Sequence, residues 1–212
     1  MVGWDKFTSI SYRMIELVYI NVLWILFTIV GLVAFGFFPA TAAMFGVVRK
    51  LIKDEESFKI FPTFWALFRT DFLKANGFGL VFLLIAYLFF FNLYFLEANS
   101  GKLQFLFPIL IFIFISGIVT FLLFFPVYAH YNLKFFQTIK QSFLIAVTSP
   151  IEVIAIGVSA GVIYFIATLF PGIIPLFPGS LFAYVTTFIC MRAFARIEQR
   201  RITKRIIPSM QK

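Results

Sequence analysis

Residues 76–96 read NGFGLVFLLIAYLFFFNLYFL, an uncharged stretch long enough to decide the fold of this chain. A helix needs about 20 mostly apolar residues to cross the hydrocarbon core of a bilayer. Unpaired backbone groups are costly in hydrocarbon, so such a stretch is expected to be helical. Four more stretches meet the same requirement, at about residues 17–37, 105–128, 151–170 and 176–194. The sequence therefore predicts an all-α, polytopic transmembrane helix bundle with five full spans, in a single membrane domain of residues 1–212.

The composition of the whole chain agrees with a membrane environment. Hydrophobic residues make up 62% of the sequence, charged residues make up 13%, and there are 33 Phe, more than one soluble core of this size can bury. The net charge of +9 comes from Lys and Arg residues that long apolar runs separate. Nucleic acid binding needs a continuous basic surface, so we expect no nucleic-acid partner. We expect instead a multi-pass protein of the cell membrane with its basic segments in the cytoplasm.

A shorter apolar run follows the first predicted span. It begins at Pro39, which suits the first position of a helix, and ends at the basic pair Arg49 and Lys50. Residues 39–48 are too few for an ordinary span, so we predict a short returning helix over residues 39–53. Small side chains would let this helix pack closely on its neighbours. They are Ala40, Ala42, Ala43 and Gly46.

Two further segments combine charge with apolar residues. Over residues 57–74, aromatic side chains recur at helical spacing among charged ones, which predicts an interfacial helix that bends into the second span at Asn76-Gly77. A plain extension of that span is the alternative. Residues 195–212 form a basic tail, for which we predict a helical continuation that binds anionic lipids. A solvated tail is the alternative there.

The distribution of Lys and Arg distinguishes two topologies, because these residues concentrate in cytoplasmic loops. If the short helix does not cross the membrane, all of them except Lys6, Arg13 and Lys102 lie on one side. If it does cross, only Lys102 lies on the other side. Both topologies place the C-terminus in the cytoplasm. The second, which we favour, also places the N-terminus there.

Few side chains offer chemistry. Cys190, the only Cys, lies in an apolar run and is expected to be a small buried hydrophobe. The sequence contains no phosphate-binding loop, zinc-binding helix or nucleophile elbow, so we expect neither an enzyme nor a cofactor. Asn21 and Asn92 are mid-span polar residues expected to hydrogen-bond between helices, as are Ser116 and Thr120.

Two ionisable residues complete the polar candidates. His130 lies at the cytoplasmic end of the third predicted span, where a proton relay would need an acidic partner. The nearest acid in sequence, Glu152, lies beyond a loop at the end of another span, where we expect it to act as an interfacial anchor.

The chain resembles a known family over nearly its whole length. The motifs that carry the resemblance are NVLWILF at residues 21–27, PATAAMF at 39–45, RK at 49–50 and FWxxF at 64–68. They are similar to the YesL-like family of bacterial integral membrane proteins, a domain of unknown function in which Gly commonly precedes the Pro that here follows Phe38. The resemblance implies these family-motif positions: Pro39, Ala40, Thr41, Ala42, Ala43, Arg49, Lys50, Phe64, Trp65 and Phe68.

The resemblance also implies a functional context. Members of the family are often encoded beside genes for carbohydrate uptake and degradation in Gram-positive bacteria. The sequence has no catalytic motif and no coupling segment of the kind that ABC permease subunits present to their ATPases. We therefore expect an accessory or regulatory component associated with carbohydrate transporter subunits. The alternatives are a small transporter or channel in its own right, which a polar path would favour, and a structural or lipid-binding membrane protein.

Overall fold

A computed structural model describes residues 2–53, 58–98, 104–131 and 133–210. Within these residues the chain is helical and contains no β-strand. Five of the described helices are long and apolar enough to cross a membrane, which confirms the predicted all-α bundle. The helices are α1 (Val2–Val30), α2 (Phe37–Ile52), α3 (Ile60–Ala98), α4 (Phe107–His130), α5 (Phe135–Thr148), α6 (Pro150–Leu169) and α7 (Pro178–Met210), with 3-10 turns at Gln104–Leu106 and Pro171–Ile173.

α2 is the short returning helix that the sequence predicts, and it runs antiparallel to α1. Close to the connecting turn, Trp24 of α1 bonds to Thr41 of α2. Farther from the turn, the guanidinium of Arg13 donates to the backbone C=O of Leu51 at 3.1 Å. α2 therefore brings the chain back to the end of the bundle at which α1 carries Arg13.

The turn between α1 and α2 holds the two helices unusually close. A Cβ on Gly31 would lie 2.3 Å from the Cα of Gly36, so neither position has room for a side chain. Between them, Leu32 and Val33 have φ angles of 58° and 61°. This left-handed conformation is strained for a β-branched residue. The close approach of two glycines thus forces the residues between them into a strained turn.

α2 is the centre of the bundle, since it packs against α1, α3, α4 and α7. The side chain of Ala43 is only 1% exposed, and a Cβ on Gly46 would lie 2.7 Å from Cδ1 of Leu67 on α3. The small residues therefore do lie where neighbouring helices approach. The buried residues of α2 are Pro39, Ala40, Thr41, Ala42, Ala43, Met44, Phe45, Val47, Val48 and Leu51.

α3 is one continuous helix of 39 residues, so the prediction of a separate interfacial helix over residues 57–74 is wrong. Residues 54–57 lie outside the described part of the chain. The helix continues through Asn76-Gly77 because packing supports it there: Phe78 is buried against α4, and the ring of Phe38 lies over Gly79. At 1.5 Å per residue, α3 is about 58 Å long, roughly twice the hydrocarbon thickness. The charged first half of α3 packs along α2, and the apolar second half packs along α4.

The second half of the chain contains a helix that the hydropathy pattern does not predict. α5 lies between the third and fourth predicted spans, ends at Thr148, and is followed at once by α6. α7 continues without interruption from the last predicted span into the basic tail as far as Met210. The backbone of the tail is therefore helical over its described part, and residues 211–212 lie outside that part.

One end of the bundle gathers the ends of several helices. Arg49 near the end of α2 donates to the backbone C=O of Ala129 at the end of α4. Glu152 at the start of α6 pairs with Arg196 in the second half of α7. Together with the contact of Arg13 to the end of α2 and that of His130 on α4 to Phe194 on α7, these contacts place basic residues of α1, α2 and α7 at the same end. We call this the basic end.

Candidate functional site

The sequence motifs meet where α1 and α3 pack against α2, and the first contact is polar. Nε1 of Trp24 donates a hydrogen bond of 3.0 Å to Oγ1 of Thr41, and this hydroxyl donates to the backbone C=O of Phe37 at 2.7 Å. The indole ring also meets the ring of Phe37 edge to face, with centroids 5.8 Å apart. Both polar groups are therefore satisfied inside the bundle, where an unpaired N–H would be costly.

The second contact is aromatic and joins α1 to α3. The ring of Phe27 lies 5.2 Å from Phe64, 5.5 Å from Trp65 and 5.0 Å from Phe68, measured between centroids. Phe64 is fully buried, whereas the side chain of Trp65 is 44% exposed. Aromatic contacts of this kind add about 0.5–1.5 kcal/mol to the free energy of burial. The aromatic motif residues are thus packing residues, with Trp65 at the outer margin.

The basic pair at the end of α2 reaches two different groups. Arg49 donates to the backbone C=O groups of Ala129 and His130, at 2.7 and 3.3 Å. These carbonyls end α4, where the helix dipole is negative and the C=O groups have no intrahelical partner. Lys50 lies near the ring of Phe58, with Nζ 6.0 Å from its centroid. Arg49 therefore caps a neighbouring helix, and the pair does not converge on one ligand.

Asn21 holds the start of α7 in place. Its Nδ2 donates to the backbone C=O of Pro175 at 2.8 Å, and the backbone N–H of Ser180 donates to its Oδ1 at 3.0 Å. A Cβ on Gly179 would lie 2.8 Å from the same oxygen, so only Gly permits this contact. The N–H groups at the start of a helix have no intrahelical partner. Asn21 thus supplies from α1 the cap that α7 lacks in its own sequence.

The other mid-span polar residues bond within their own helices. Asn92 is exposed and donates to the backbone C=O of Leu88 at 2.7 Å. Ser116 and Thr120 donate in the same way to the carbonyls four residues earlier, at 2.8 and 2.7 Å. These side chains lie apart from Asn21, so the structure does not bring the polar candidates together.

His130 and Glu152 both pack against α7, but they do not contact each other. The ring of His130 lies 4.6 Å from that of Phe194, and its Nδ1 is buried and has no hydrogen-bond partner among the described residues. The carboxylate of Glu152 is 9% exposed and pairs with Arg196. Cys190 is 1% exposed, as predicted for a small buried hydrophobe. Within the described residues, no group of three or more His, Cys, Asp and Glu side chains is placed to hold a metal.

The part of the chain that matches a known family contains the helices just described. The family described as "Protein of unknown function, DUF624" matches residues 17–93, from α1 to the second half of α3. YesV of Bacillus subtilis (strain 168) is 30% identical over 187 residues, which cover 87% of this chain and 89% of YesV. YesL of the same organism is 33% identical over 195 residues, 88% of each chain. The chain belongs to the DUF624 family.

A third relative also matches most of the chain. YteU of Bacillus subtilis (strain 168) is 32% identical over 182 residues, covering 85% of this chain and 82% of YteU. The YesL-like family that the sequence motifs indicate is therefore confirmed. No solved structure matches the chain. The DUF624 match includes Asn21, Trp24, Thr41 and Arg49, whereas the backbone groups that Asn21 and Arg49 contact lie outside the matched residues.

Sequence reasoning missed one group of residues. Lys74 lies on α3, and Lys134 immediately precedes α5. Together with Tyr128 they line a cleft between three helices. No motif marks these residues, because the cleft exists only once α5 is placed. The available signal was an aromatic pair, Phe135 and Phe136, directly after Lys134 and a few residues beyond the predicted span 105–128.

Proposed function

We propose that this DUF624 protein is an accessory or regulatory membrane subunit that associates, within the bilayer, with a carbohydrate uptake system. The observation that carries the proposal is a pair of half-helices with little packing of their own. They are residues 80–98 of α3 and residues 107–117 of α4, which we call the outer hairpin. Within its described residues, only Leu96 is buried.

The outer hairpin is held together by a few aromatic contacts. The rings of Phe89 and Phe114 stack with centroids 3.7 Å apart, and both also contact the ring of Phe90. Leu83 is 63% exposed and Phe112 is 72% exposed. Lipid tails are as apolar as these side chains, so association here would rest on van der Waals packing. Exposed side chains of this size offer such packing to the helices of another membrane subunit.

The way in which polar groups are used favours an accessory role over a transporter. A transport path needs polar side chains aimed into a shared space. Asn92, Ser116 and Thr120 instead bond to their own helices, and Asn21 is committed to the start of α7. These four side chains were the candidates that the sequence offered to line a path.

The choice of a carbohydrate system rests on the family context given by the resemblance. The sequence motifs link the chain to proteins that are often encoded beside carbohydrate uptake genes. The relatives YesV, YteU and YesL carry no activity in their names. The partner is therefore proposed from context, and the binding surface from the geometry of the outer hairpin.

Photocrosslinking in native membranes tests the proposal directly. A photoreactive residue is introduced at Leu84, Leu88 or Phe112 on the outer hairpin, and as matched controls at Tyr164 or Phe165 on the exposed face of α6. We expect the hairpin positions to crosslink to a membrane subunit of a carbohydrate transporter and the α6 positions to crosslink mainly to lipid.

Two results would overturn the proposal. Equal crosslinking to the same protein from α6 and from the outer hairpin would remove the hairpin as the binding surface. Uptake of sugar into liposomes that contain only the purified protein would establish a transporter in its own right.

A further inference from the structure

A cleft of about 520 Å³ opens between α3, α4 and the start of α5. We call it the lysine cleft, because a Lys side chain lines each of two sides. Lys74 comes from α3, and Lys134 comes from the residue that precedes α5. Gly77 lies on α3 between these sides, and a Cβ built there would meet no atom within 4 Å. The absence of a side chain at this position leaves the cleft open.

The apolar wall of the lysine cleft is built from aromatic rings in contact with one another. The rings of Phe78 and Phe135 are stacked, with centroids 4.8 Å apart and an angle of 6° between their planes. The ring of Tyr128 meets Phe78 edge to face at 5.2 Å. Three aromatic side chains from three elements therefore form one wall, in which Phe78 is buried and Tyr128 and Phe135 are partly exposed. A hydrocarbon chain would cover the exposed parts of this wall more favourably than water would.

The charges of the cleft favour an anion. Both Lys side chains are exposed, and among the described residues no carboxylate lies within ion-pair distance of either ammonium group. Lys134 also precedes a helix, where the positive end of the dipole disfavours a second positive charge. A bound anion would relieve that repulsion.

The position of the cleft favours a lipid over a soluble anion. It adjoins the end of α4, which Arg49 ties to the basic end of the bundle. From the cleft, α3 leads directly into its apolar half, where Leu80 is 69% exposed. A phosphate held between the two Lys would thus lie at the level of lipid headgroups, with an apolar helix surface leading away from it.

We propose that the lysine cleft binds one anionic phospholipid. Lys74 and Lys134 hold the phosphate, and an acyl chain lies against the exposed surface of α3. This site is separate from the basic tail of α7, and it does not depend on the proposed accessory function.

Lipid retention measured by native mass spectrometry tests the site. The full chain is reconstituted in nanodiscs of phosphatidylglycerol and phosphatidylcholine, and the ratio of the two lipids retained on the released protein is measured. We expect phosphatidylglycerol to be retained in preference. The preference should fall about fivefold for each lysine removed in Lys74→Gln and Lys134→Gln.

Two further variants separate the cleft from general charge attraction. Gly77→Leu fills the cleft without changing any charge, and Gly157→Leu on α6 is its control, because a Cβ there also meets no atom within 4 Å. Lys59→Gln with Lys140→Gln removes two exposed charges that do not line the cleft. We expect Gly77→Leu to abolish the preference and both controls to retain it, with unchanged thermal midpoints in phosphatidylcholine nanodiscs.

Three results would overturn the proposal. An equal loss of preference in the Lys59 and Lys140 variant would show that attraction is spread over the basic end. An unchanged preference in Gly77→Leu would show that the lipid does not occupy the cleft. The parent protein could also show no lipid preference and yet bind inorganic phosphate in phosphatidylcholine nanodiscs. If the Lys74 and Lys134 variants lost that binding, the cleft would be a site for a soluble anion.

Discussion

The indole N–H of Trp24 donates a hydrogen bond of 3.0 Å to the hydroxyl of Thr41, and this bond joins two sequence motifs that lie on different helices. It fixes the register of α2 against α1 near the turn that connects them. α2 is in turn the helix on which α3, α4 and α7 pack. The arrangement of the bundle therefore depends on contacts in the first third of the chain.

The Trp24–Thr41 hydrogen bond should give a measurable coupling energy in a double-mutant cycle. Trp24→Phe keeps the ring and removes the donor, and Thr41→Val keeps the shape and removes the hydroxyl. Interhelical hydrogen bonds in membranes contribute about 0.6 kcal/mol on average. Unfolding free energies of both variants and the double variant in one detergent should therefore give a coupling near that value. Strictly additive losses would show that the bond contributes nothing.

Overpacking α2 should destabilise the bundle. Ala43→Leu adds atoms where the parent side chain is 1% exposed, and such insertions cost about 1–3 kcal/mol. Gly46→Ala should cost less, because the atom it meets is the end of the flexible Leu67 side chain. Thermal unfolding in detergent checks this order.

The control for α2 must lie on a surface that is exposed in the purified protein. Leu88→Ile and Phe112→Leu qualify, since both parent side chains are exposed. A change at Phe114 would not serve as a control, because its ring is stacked against Phe89. If Ala43→Leu leaves the unfolding midpoint as unchanged as these two variants do, α2 is not packed as described.

Asn21 and Gly179 should act as one unit. Asn21→Ala removes the cap from the start of α7, and loss of a helix cap costs about 0.5–2 kcal/mol. Gly179→Ala should have a similar effect, because its Cβ would displace the Asn21 carbonyl oxygen. The double variant should then lose little more than either single one. Full additivity of the two losses would mean that Gly179 matters for another reason.

Neutralising Arg196 should destabilise the protein more than neutralising Glu152, its partner in the ion pair. Arg196→Gln leaves a buried carboxylate without its cation, whereas Glu152→Gln leaves a guanidinium that is 58% exposed. An unsatisfied buried group costs about 1–3 kcal/mol, more when charged, so Arg196→Gln should be the more destabilising change. Adding Glu152→Gln to it should recover part of the loss in a chemical unfolding experiment. Equal losses for both single variants would show that the burial of Glu152 has no energetic effect.

Hydropathy was enough to predict the spans, because a bilayer imposes one length and one polarity on every crossing helix. It missed α5, whose Gln137 and Lys140 interrupt the apolar run and whose 14 residues are fewer than a span requires. It also predicted a bend at Asn76-Gly77 where packing against α4 keeps α3 continuous.

The side-chain contacts of the candidate site could not be predicted from the sequence, for a different reason. Nothing in the sequence near Asn21 indicates Ser180, which is 159 residues away and meets it only after α1 and α7 pack. The same holds for Arg49 and the end of α4. Polar residues could be identified as candidates from the sequence, but their partners depend on the tertiary arrangement.

The central claim is that α2 returns beside α1, so that the N-terminus and the segment after α2 lie on the same side of the membrane. The distribution of Lys and Arg predicts that this side is the cytoplasm. Labelling of single Cys residues by a membrane-impermeant reagent in intact cells tests it most directly, after Cys190→Ala removes the native thiol. Cys introduced at Ser100 should label from outside, and Cys introduced at Ser9, Ser57 or Ser209 should label only after the membrane is opened. External labelling at Ser9 together with protection at Ser57 would contradict the claim, because α1 would then cross without α2 returning.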